Sequence, residues 1–460
     1  MPNPPVTRPL LSPEEKKRDG LDPRAYQNLK VGIHRELLNY IDFDKVAAQP
    51  DDQTRRQVYG VIQQLASNLK MPLPPSVPGQ FPTELTPPEK DLLALEILNE
   101  FFRLGPLEPL LQDPTISDIL VNGAKEIYIE RAGVLEESPV VFKDNVHLMR
   151  IIDQIVSAIG RRVDESSPMV DARLADGSRV HVIIPPAAID GPHLSIRRFG
   201  HIPITEEDLL VTQTLTLPML ELLRGAVKAR LNIVISGGTG AGKTTLLNVL
   251  SGYISEKERI VTIEDSAELQ LKQRHVVRLE CRPADAEGKG AIMQRQLVIN
   301  SLRMRPNRII IGEVRSDEAL DMLQAMNTGH DGSMTTLHAN SPRDAIARLE
   351  TMAMMGNVNL HEKAIRKQLA SAITLVLQMA RFSDGSRRVT HISEITGMEV
   401  DIVSLQDVFL FEKQGLSPEG RVLGTFTATG IRPRFEEKLR SAGIALPANF
   451  FEPSVKYRRG

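Results

Sequence analysis

The chain has little of several things that common classes of protein require. Its 460 residues include no tryptophan and one cysteine, Cys281, so an internal disulfide framework is excluded and a reducing compartment is favoured. No apolar run is long enough to span a bilayer, and the N-terminus lacks a signal-peptide core. A formal charge of −2 and 4% aromatic residues give little basic or stacking surface for nucleic acid. We therefore expect a cytoplasmic protein that binds no nucleic acid directly, inserts nothing into a membrane and needs a partner for any membrane association.

What the chain does contain is a glycine-rich segment between an apolar run and a helical pattern. Residues 237–244 have the sequence GGTGAGKT, after the apolar run 231–236 and before the helical pattern 245–250. A loop of this spacing holds phosphates, because backbone N–H groups and the positive end of the next helix point at the anion. Lys243 adds a charge for the β- and γ-phosphates, and the Thr244 hydroxyl can ligate Mg²⁺. A nucleoside triphosphate site is favoured over a turn without a ligand. The predicted nucleotide contacts of this loop are Gly238, Thr239, Gly240, Ala241, Gly242, Lys243, Thr244 and Thr245.

Two acidic residues close later apolar runs. Glu313 follows the run 308–311, and Glu264 follows the run 259–263. Phosphoryl transfer to water needs Mg²⁺, charge neutralisation and a group that orients the water. The position of Glu313 downstream of a phosphate loop predicts a Walker B acid near the metal ion. Glu264 and Glu268, four residues apart, are also compatible with the acidic first turn of a helix.

Three other patterns carry less weight. His330 and His338 are eight residues apart without a cysteine or carboxylate set, so a polar network near the nucleotide is favoured over zinc. Residues 285–288 imitate a GTPase motif but end no apolar strand, and no N-K-x-D motif is present, so GTP specificity is rejected. Cys281 lies beside Arg282, which predicts a lowered thiol pKa, although an incidental cysteine is more common.

Composition and periodicity divide the chain into four parts. Residues 1–25 are rich in proline and charge and are expected to be disordered. Residues 26–112 predict a helical bundle with a proline-rich linker at 71–88. Residues 113–208 predict a small α/β domain, and residues 209–460 predict a largely parallel sheet with its ligand at the carboxyl ends of the strands. The strand-like runs of the last part are 233–236, 259–263, 309–311, 334–337 and 375–379.

Four motifs, in this order, resemble those of the type II/type IV secretion ATPase superfamily. The phosphate loop resembles its Walker A element, residues 261–269 its Asp box, residues 310–315 its Walker B element and residues 328–340 its His box. Further segments, at 279–283, 303–308 and 429–435, are similar to the CpaF branch, the motor of Tad-type pili. Cys281 departs from the pattern, because threonine is expected there.

The resemblance implies a homo-hexameric ring of two-lobed subunits. Each subunit would have a RecA-like P-loop ATPase domain, preceded by a small PAS-like α/β domain and an N-terminal helical bundle, with ATP between the two lobes. Lys243 and the two acids would be catalytic: Glu264 would orient the water as a base, and Glu313, together with Thr244, would hold Mg²⁺. His338 would sense the nucleotide. The arginines expected to reach the γ-phosphate from the α/β domain are Arg179, Arg197 and Arg198.

The function implied is a cytoplasmic motor that couples Mg·ATP hydrolysis to motion between its lobes. Through inner-membrane platform proteins it would assemble, and in some settings retract, a Tad-type pilus. The alternatives are an ATPase that exports effectors or DNA, and a RecA-type DNA translocase, which DNA-stimulated hydrolysis would reveal. A nucleotide-dependent scaffold that scarcely hydrolyses ATP is disfavoured by the two acidic strand ends.

Overall fold

In a computed structural model of the protein, the chain forms two compact units, Met1–His201 and Ile202–Gly460. The residues that it describes are 30, 32–33, 36–37, 52–68, 87–131, 133–199, 204–284, 289–357 and 360–453. The segment 1–25 and the GTPase-like residues 285–288 lie outside the described residues. So does the predicted linker 71–88, apart from its last two residues, which begin a helix.

Helices at the start of the first unit share one apolar core. These are α1 (Asp52–Asn68) and α2 (Pro87–Phe102), and prolines suit the first turn of α2 because its N–H groups need no helical partner. The residues of this core are Ile33, Leu37, Val58, Ile62, Ala66, Leu93, Ala94 and Ile97, and apart from the adjacent Leu93 and Ala94 they follow one another at three or four positions within each segment. These residues all lie within the segment 26–112, for which a helical bundle was predicted.

The rest of the first unit is an antiparallel sheet with a helix packed on it. Its strands are β1 (Ile116–Asn122), β2 (Ile127–Arg131), β3 (Val134–Glu137), β4 (Met169–Arg173), β5 (Arg179–Ile183) and β6 (His193–Arg197), in the spatial order β3-β2-β1-β6-β5-β4. The helices are α3 (Glu108–Gln112) and α4 (Asn145–Ser157). Asp144 caps α4 by accepting a hydrogen bond from the His147 N–H. Ile159 lies beyond the end of α4 and is 39% exposed.

The described residues of the second unit form a nine-stranded sheet. Its strands are β7 (Ile233–Gly237), β8 (Ile260–Glu264), β9 (Val276–Glu280), β10 (Arg308–Ile311), β11 (Met334–Leu337), β12 (Leu375–Arg381), β13 (Arg387–Glu399), β14 (Ile402–Leu416) and β15 (Val422–Ala428). They lie in the order β15-β14-β13-β12-β7-β11-β10-β8-β9. From β12 to β9 every neighbouring pair is parallel, and β13, β14 and β15 continue the sheet in antiparallel fashion. All five predicted strands are present, but the sequence did not predict the antiparallel extension.

Helices of the second unit cover both faces of this sheet. They are α5 (Glu206–Val211), α6 (Leu217–Lys228), α7 (Lys243–Ser251), α8 (Gln294–Ser301), α9 (Glu318–Asn327), α10 (Pro342–Gly356), α11 (Glu362–Ala372) and α12 (Glu436–Ser441). Along β7, Ile233 and Ile235 belong to one apolar core and Val234 to the other, as expected for a strand buried on both faces. The predicted fold class is confirmed: a RecA-like α/β domain preceded by a small α/β domain. Within the described part of the chain, no helix combines the length and apolar character needed to cross a membrane.

Candidate nucleotide site

The phosphate loop, residues 237–244, connects β7 to α7 at the carboxyl edge of the parallel strands. Gly240 and Gly242 have positive φ angles of 68° and 94°, which favour glycine because a Cβ atom would strain the backbone. At Gly237 a Cβ atom would lie 2.5 Å from the backbone oxygen of Met379 on the neighbouring β12. The glycines therefore let the loop turn sharply and pass close to the next strand.

Lys243 is the first residue of α7 and lies under the loop. Its side chain is 7% exposed, and its ammonium group donates to the backbone oxygens of Gly237 and Gly238, both at 3.0 Å. Burial lowers its pKa, because the charged form loses hydration. An ammonium group held at this position is ready to exchange loop carbonyls for phosphate oxygens.

The other predicted loop contacts surround this lysine. Gly238, Thr239 and Gly240 are exposed, Ala241 is buried, and Gly242, Thr244 and Thr245 are half-buried. Both threonines belong to the first turn of α7, whose N–H groups have no partner further back in the helix. The loop thus presents hydroxyls and backbone N–H groups from one short stretch, as a phosphate site requires.

Glu264 is the last residue of β8 and is 3% exposed. Its Oε2 accepts hydrogen bonds from the backbone N–H groups of Glu268 (2.7 Å) and Leu269 (2.9 Å). Its Oε1 is buried and has no hydrogen-bond partner among the described residues. Burial raises the pKa of this carboxyl group, although the two N–H bonds oppose the shift. No helix begins between Glu264 and Glu268, so the alternative of an acidic first helical turn was wrong.

Glu313 follows β10, the strand beside β8, and connects several polar side chains. Its Oε1 lies 3.0 Å from His338 Nε2, and its Oε2 accepts from Arg315 at 2.7 Å. His338 Nε2 is in turn 3.4 Å from the Lys243 ammonium nitrogen. Burial and then the charge of Lys243 lower the pKa of His338, so the neutral imidazole is favoured between the lysine and the carboxylate.

The structure thus brings together Lys243, Glu313 and His338, and it places Glu264 beside them. Gly312, directly before Glu313, would carry a Cβ atom only 2.9 Å from Glu264 Cγ, so the two acidic strand ends are neighbours. The two histidines of the sequence pattern are separated, because His330 precedes β11 and His338 follows it. His330 Nδ1 lies 3.3 Å from the Ala325 backbone oxygen, so its predicted role in a network near the nucleotide was wrong.

The three predicted arginines lie on the sheet of the first unit. Arg179 and Arg197 are register partners on β5 and β6, and Arg197 forms an ion pair with Asp118 at 3.1 Å. Arg198, one residue further, donates to the backbone oxygens of Asp113 and Ile116, and burial lowers its pKa. Arg179 and Arg197 therefore share one face of the sheet, whereas Arg198 is held by backbone oxygens.

For Cys281 an incidental thiol was favoured, and the alternative of a pKa lowered by neighbouring arginines was wrong. Burial and then the neighbouring Asp265 carboxylate raise its thiol pKa to about 12. The negative charge close to the sulfur outweighs the arginines nearby in sequence. The thiol is therefore protonated at neutral pH and is a poor nucleophile.

Sequence reasoning missed Arg315, which connects both acidic strand ends. It donates to Glu313 at 2.7 Å and to Asp265, the residue after Glu264, at 2.8 Å. Gln294 was also missed, and it donates to the Glu313 backbone oxygen at 2.8 Å. The closeness of Arg315 to Glu313 in sequence was a usable signal, but the position of Asp265 depends on the pairing of β8 with β10.

Comparison with known proteins identifies the family. A family model described as Type II/IV secretion system protein matches residues 102–414. A putative conjugal transfer protein of Mycobacterium tuberculosis is 39% identical over 303 residues, covering 64% of this chain and 85% of that protein. The type IV secretion system protein VirB11 of Brucella suis is 31% identical over 322 residues, covering 64% and 89%. The crystal structure of the VirB11 ATPase from Brucella suis in complex with sulphate is 29% identical, covers 63% of this chain and 96% of that one, and has a TM-score of 0.35.

The family model spans more than half of the chain, and it includes the phosphate loop, both acidic strand ends and His338. This membership confirms the expectation of ATP binding and hydrolysis. The assignment to the CpaF branch is finer than the match and stays a prediction. The chain is an ATPase that belongs to the type II/IV secretion system protein family.

Proposed function

We propose that the chain is a cytoplasmic, hexameric motor that couples Mg·ATP hydrolysis to motion between its two units. Through inner-membrane platform proteins, this motion drives assembly and, in some settings, retraction of a Tad-type pilus. The observation that carries the hydrolytic part is the carboxylate of Glu264, which is buried beside Glu313 and has one oxygen without a hydrogen-bond partner among the described residues.

Glu264 is suited to orient and deprotonate the attacking water. Two backbone N–H groups fix the carboxylate through Oε2, and this leaves Oε1 to accept a hydrogen bond from water. Because burial raises its pKa, the ionised carboxylate is a stronger base than an exposed glutamate. General base catalysis of this kind contributes roughly 10²–10⁴-fold to a rate.

The oxygen donors for a magnesium ion are Thr244 and Glu313. A hydroxyl and a carboxylate are the hard ligands that Mg²⁺ prefers, and the ion supplies charge neutralisation to the β- and γ-phosphates when bound. No group of three or more His, Cys, Asp or Glu side chains in the described part could hold a metal by itself. The donor set therefore fits an ion that nucleotide phosphates and water hold together with two protein oxygens.

His338 connects the phosphate-binding lysine to the Walker B carboxylate. Its Nε2 lies within 3.4 Å of the Lys243 nitrogen and 3.0 Å of Glu313 Oε1. A move of Lys243 toward a phosphate changes the charge next to this imidazole. We assign to His338 the role of reporting the presence of the γ-phosphate to Glu313.

Arginines of the first unit complete the site in this proposal. Arg179 and Arg197 share a face of the sheet with Arg173, the register partner of Arg179 on β4. A row of guanidinium groups can stabilise the charge that develops on the transferred phosphoryl group. ATP held by both units would then favour a closed arrangement, and phosphate release would remove that preference. Arg198 contributes less in this scheme, because backbone oxygens already hold it.

A second candidate function is the export of DNA or effector proteins. It is favoured by the similarity to proteins described as conjugal transfer and type IV secretion components. Both functions use the same ATPase chemistry and differ in the machine that the motor drives. Deletion of the gene, followed by imaging of surface filaments and by a conjugation assay, separates them: loss of filaments alone supports the pilus motor, and loss of transfer alone supports export.

The hydrolytic part is tested with Glu264→Gln. The amide keeps an oxygen for both backbone N–H groups but cannot act as a base, so we expect steady-state phosphate release to fall roughly 10²–10⁴-fold while ATP binding is retained. Glu268→Gln is the matched control, because Glu268 keeps its backbone N–H bond to Glu264 and its carboxylate acts on Glu264 only through its charge. Turnover by Glu264→Gln at the rate of the control rejects the base assignment.

A further inference from the structure

The strand β12 brings two arginines to the other side of the phosphate loop. β7 lies between β11 and β12, and Met379 of β12 is the register partner of Gly237. Two residues further along β12 is Arg381, which pairs across the β12–β13 hairpin with Arg387. The hairpin therefore places both side chains at the edge of the sheet where the phosphate loop lies.

Both arginines are in close contact with the loop. Arg387 Nε donates to the backbone oxygen of Gly240 at 2.9 Å, and its Cδ would lie 3.3 Å from a Cβ atom on Gly242. A guanidinium nitrogen of Arg381 would lie 3.1 Å from a Cβ atom on Gly240. Because C=O and N–H point in opposite directions in a trans peptide, the bond from Arg387 also fixes the direction of the Ala241 N–H.

The turn between the two arginines is held in place by its own contacts. Asp384 Oδ1 accepts from the Ser386 N–H at 3.0 Å and from the Ser386 hydroxyl at 2.6 Å. Asp384 Oδ2 accepts from the Val422 N–H of β15 at 2.7 Å. The hairpin is thus tied to the antiparallel part of the sheet, so the arginines are presented by a fixed element.

The two flanks of the loop differ in charge. On the β11 side are the acids Glu264 and Glu313, where the γ-phosphate must lie if Glu264 orients water, and the arginine on this side, Arg315, is paired with Glu313 and Asp265. On the β12 side are Arg381 and Arg387. A nucleoside triphosphate brings about four negative charges, and Arg binds phosphate oxygens through paired N–H donors. The β12 flank faces the part of the phosphate chain farther from the acids.

We propose that Arg381 and Arg387 belong to the nucleotide site and bind the α- and β-phosphates from the β12 flank. Arg387 also holds the Gly240 peptide in the orientation that the loop needs. The proposal rests on the proposed function, since the acids define which end of the phosphate chain lies where. It makes the antiparallel extension of the sheet a part of the binding site.

The test measures dissociation constants of the full chain for ADP and for adenosine by calorimetry. Arg381→Ala and Arg387→Ala should each weaken ADP binding about 10-fold, and both should leave the weak binding of adenosine unchanged, because adenosine has no phosphate. The matched control is Arg388→Ala. This neighbouring arginine donates to the backbone oxygens of Thr212 and Arg387, and its removal should change the dissociation constant for ADP less than about 2-fold.

The outcomes are separable. If both variants bind ADP as the control does, the inference is overturned, while wild-type ADP binding keeps the proposed function. If the wild-type chain itself fails to bind ADP, the proposed function fails. Thermal melting without nucleotide checks the fold of both variants: if Arg387→Ala lowers Tm, the variant Arg381→Ala decides, provided that its own Tm equals that of the wild type. Arg387→Lys keeps the charge without the fork of donors, and we expect an intermediate loss of ADP affinity.

Discussion

In the parallel part of the second unit's sheet, buried charged side chains have different partners at the amino ends and at the carboxyl ends of the strands. At the amino edge, Arg308 is 1% exposed and lies against Glu258. At the carboxyl edge, Lys243 and Glu264 are almost as deeply buried. Both edges therefore lose the hydration of charged groups, and the difference lies in how far protein atoms replace that hydration.

At the amino edge, hydrogen bonds and ion pairs from arginines fully replace the lost water around the Glu258 carboxylate. Arg308 donates from Nε and from a terminal nitrogen to the two oxygens of Glu258, at 2.8 and 3.0 Å, and Arg230 adds a further ion pair at 3.0 Å. Burial alone would raise the pKa of Glu258, but the bonds from Arg308 lower it below its ordinary value. A bidentate pair of this kind fixes the starts of β8 and β10 relative to each other.

At the carboxyl edge, protein donors replace only part of the lost water around the Glu264 carboxylate. Glu264 has N–H donors on one oxygen only, and burial raises its pKa. The same chemical group is thus stabilised as a charge at one edge and kept reactive at the other. The comparison indicates that incomplete satisfaction, more than burial itself, distinguishes a catalytic charge from a structural one.

The largest expected effect is that of Lys243→Ala on turnover. Removal of the ammonium group should lower phosphate release at least ~10³-fold, because no other side chain of the loop supplies a charge to the phosphates. The free energy of unfolding should change by less than about 1 kcal/mol, because the loss of two hydrogen bonds to loop carbonyls is offset by the removal of a buried charge. The measurement pairs a phosphate-release assay with urea unfolding, and Lys272→Ala, an exposed lysine of the same unit, is the control. Hydrolysis by the variant at the rate of this control would contradict the role given to the carboxyl edge.

Sequence reasoning predicted the carboxyl edge far better than the amino edge. The phosphate loop and the acid after β10 are local patterns, in which residue order alone places the group at a strand end. Arg308 and Glu258 are 50 residues apart, and only the pairing of β8 with β10 brings them together. The contact of Arg387 with Gly240 spans 147 residues and depends on strands that the sequence did not predict.

Prediction also failed where one strand separates two similar residues. His330 and His338 looked like a pair in sequence, but β11 places them at opposite edges of the sheet. The antiparallel strands β13, β14 and β15 were missed because polar residues occupy most of β13 and most of β14 outside its apolar run 408–411. Local spacing predicts elements, whereas partners across a sheet depend on register.

The second largest effect is expected on the free energy of unfolding when the ion pair between Arg308 and Glu258 is broken. Glu258→Gln should reduce the free energy of unfolding by about 3–5 kcal/mol, because it leaves the buried Arg308 without a counter-charge. Arg308→Met should cost less, since Glu258 keeps Arg230 as a partner. Urea unfolding of both variants measures the difference. An equal loss in the two variants would show that Arg230 does not support Glu258 in solution.

The smallest expected effect is on the pH dependence of stability, where the two carboxylates should act in opposite directions. The folded pKa of Glu264 is raised above the ordinary 4.5, so the unfolded state releases its proton first as pH rises, and folding stability is lost above that pH. The folded pKa of Glu258 is lowered, so its contribution is present above 4.5 and is lost as pH falls through the folded pKa.

Stability curves of three proteins test this last point. Above about pH 5, the free energy of unfolding of the wild type should fall more steeply with pH than that of Glu264→Gln. Between about pH 3 and pH 5, Glu258→Gln should lose less stability on acidification than the wild type does. Parallel curves for wild type and Glu264→Gln would mean that Glu264 is as well solvated or paired as Glu258, and the contrast between the two edges would then have no basis in solution.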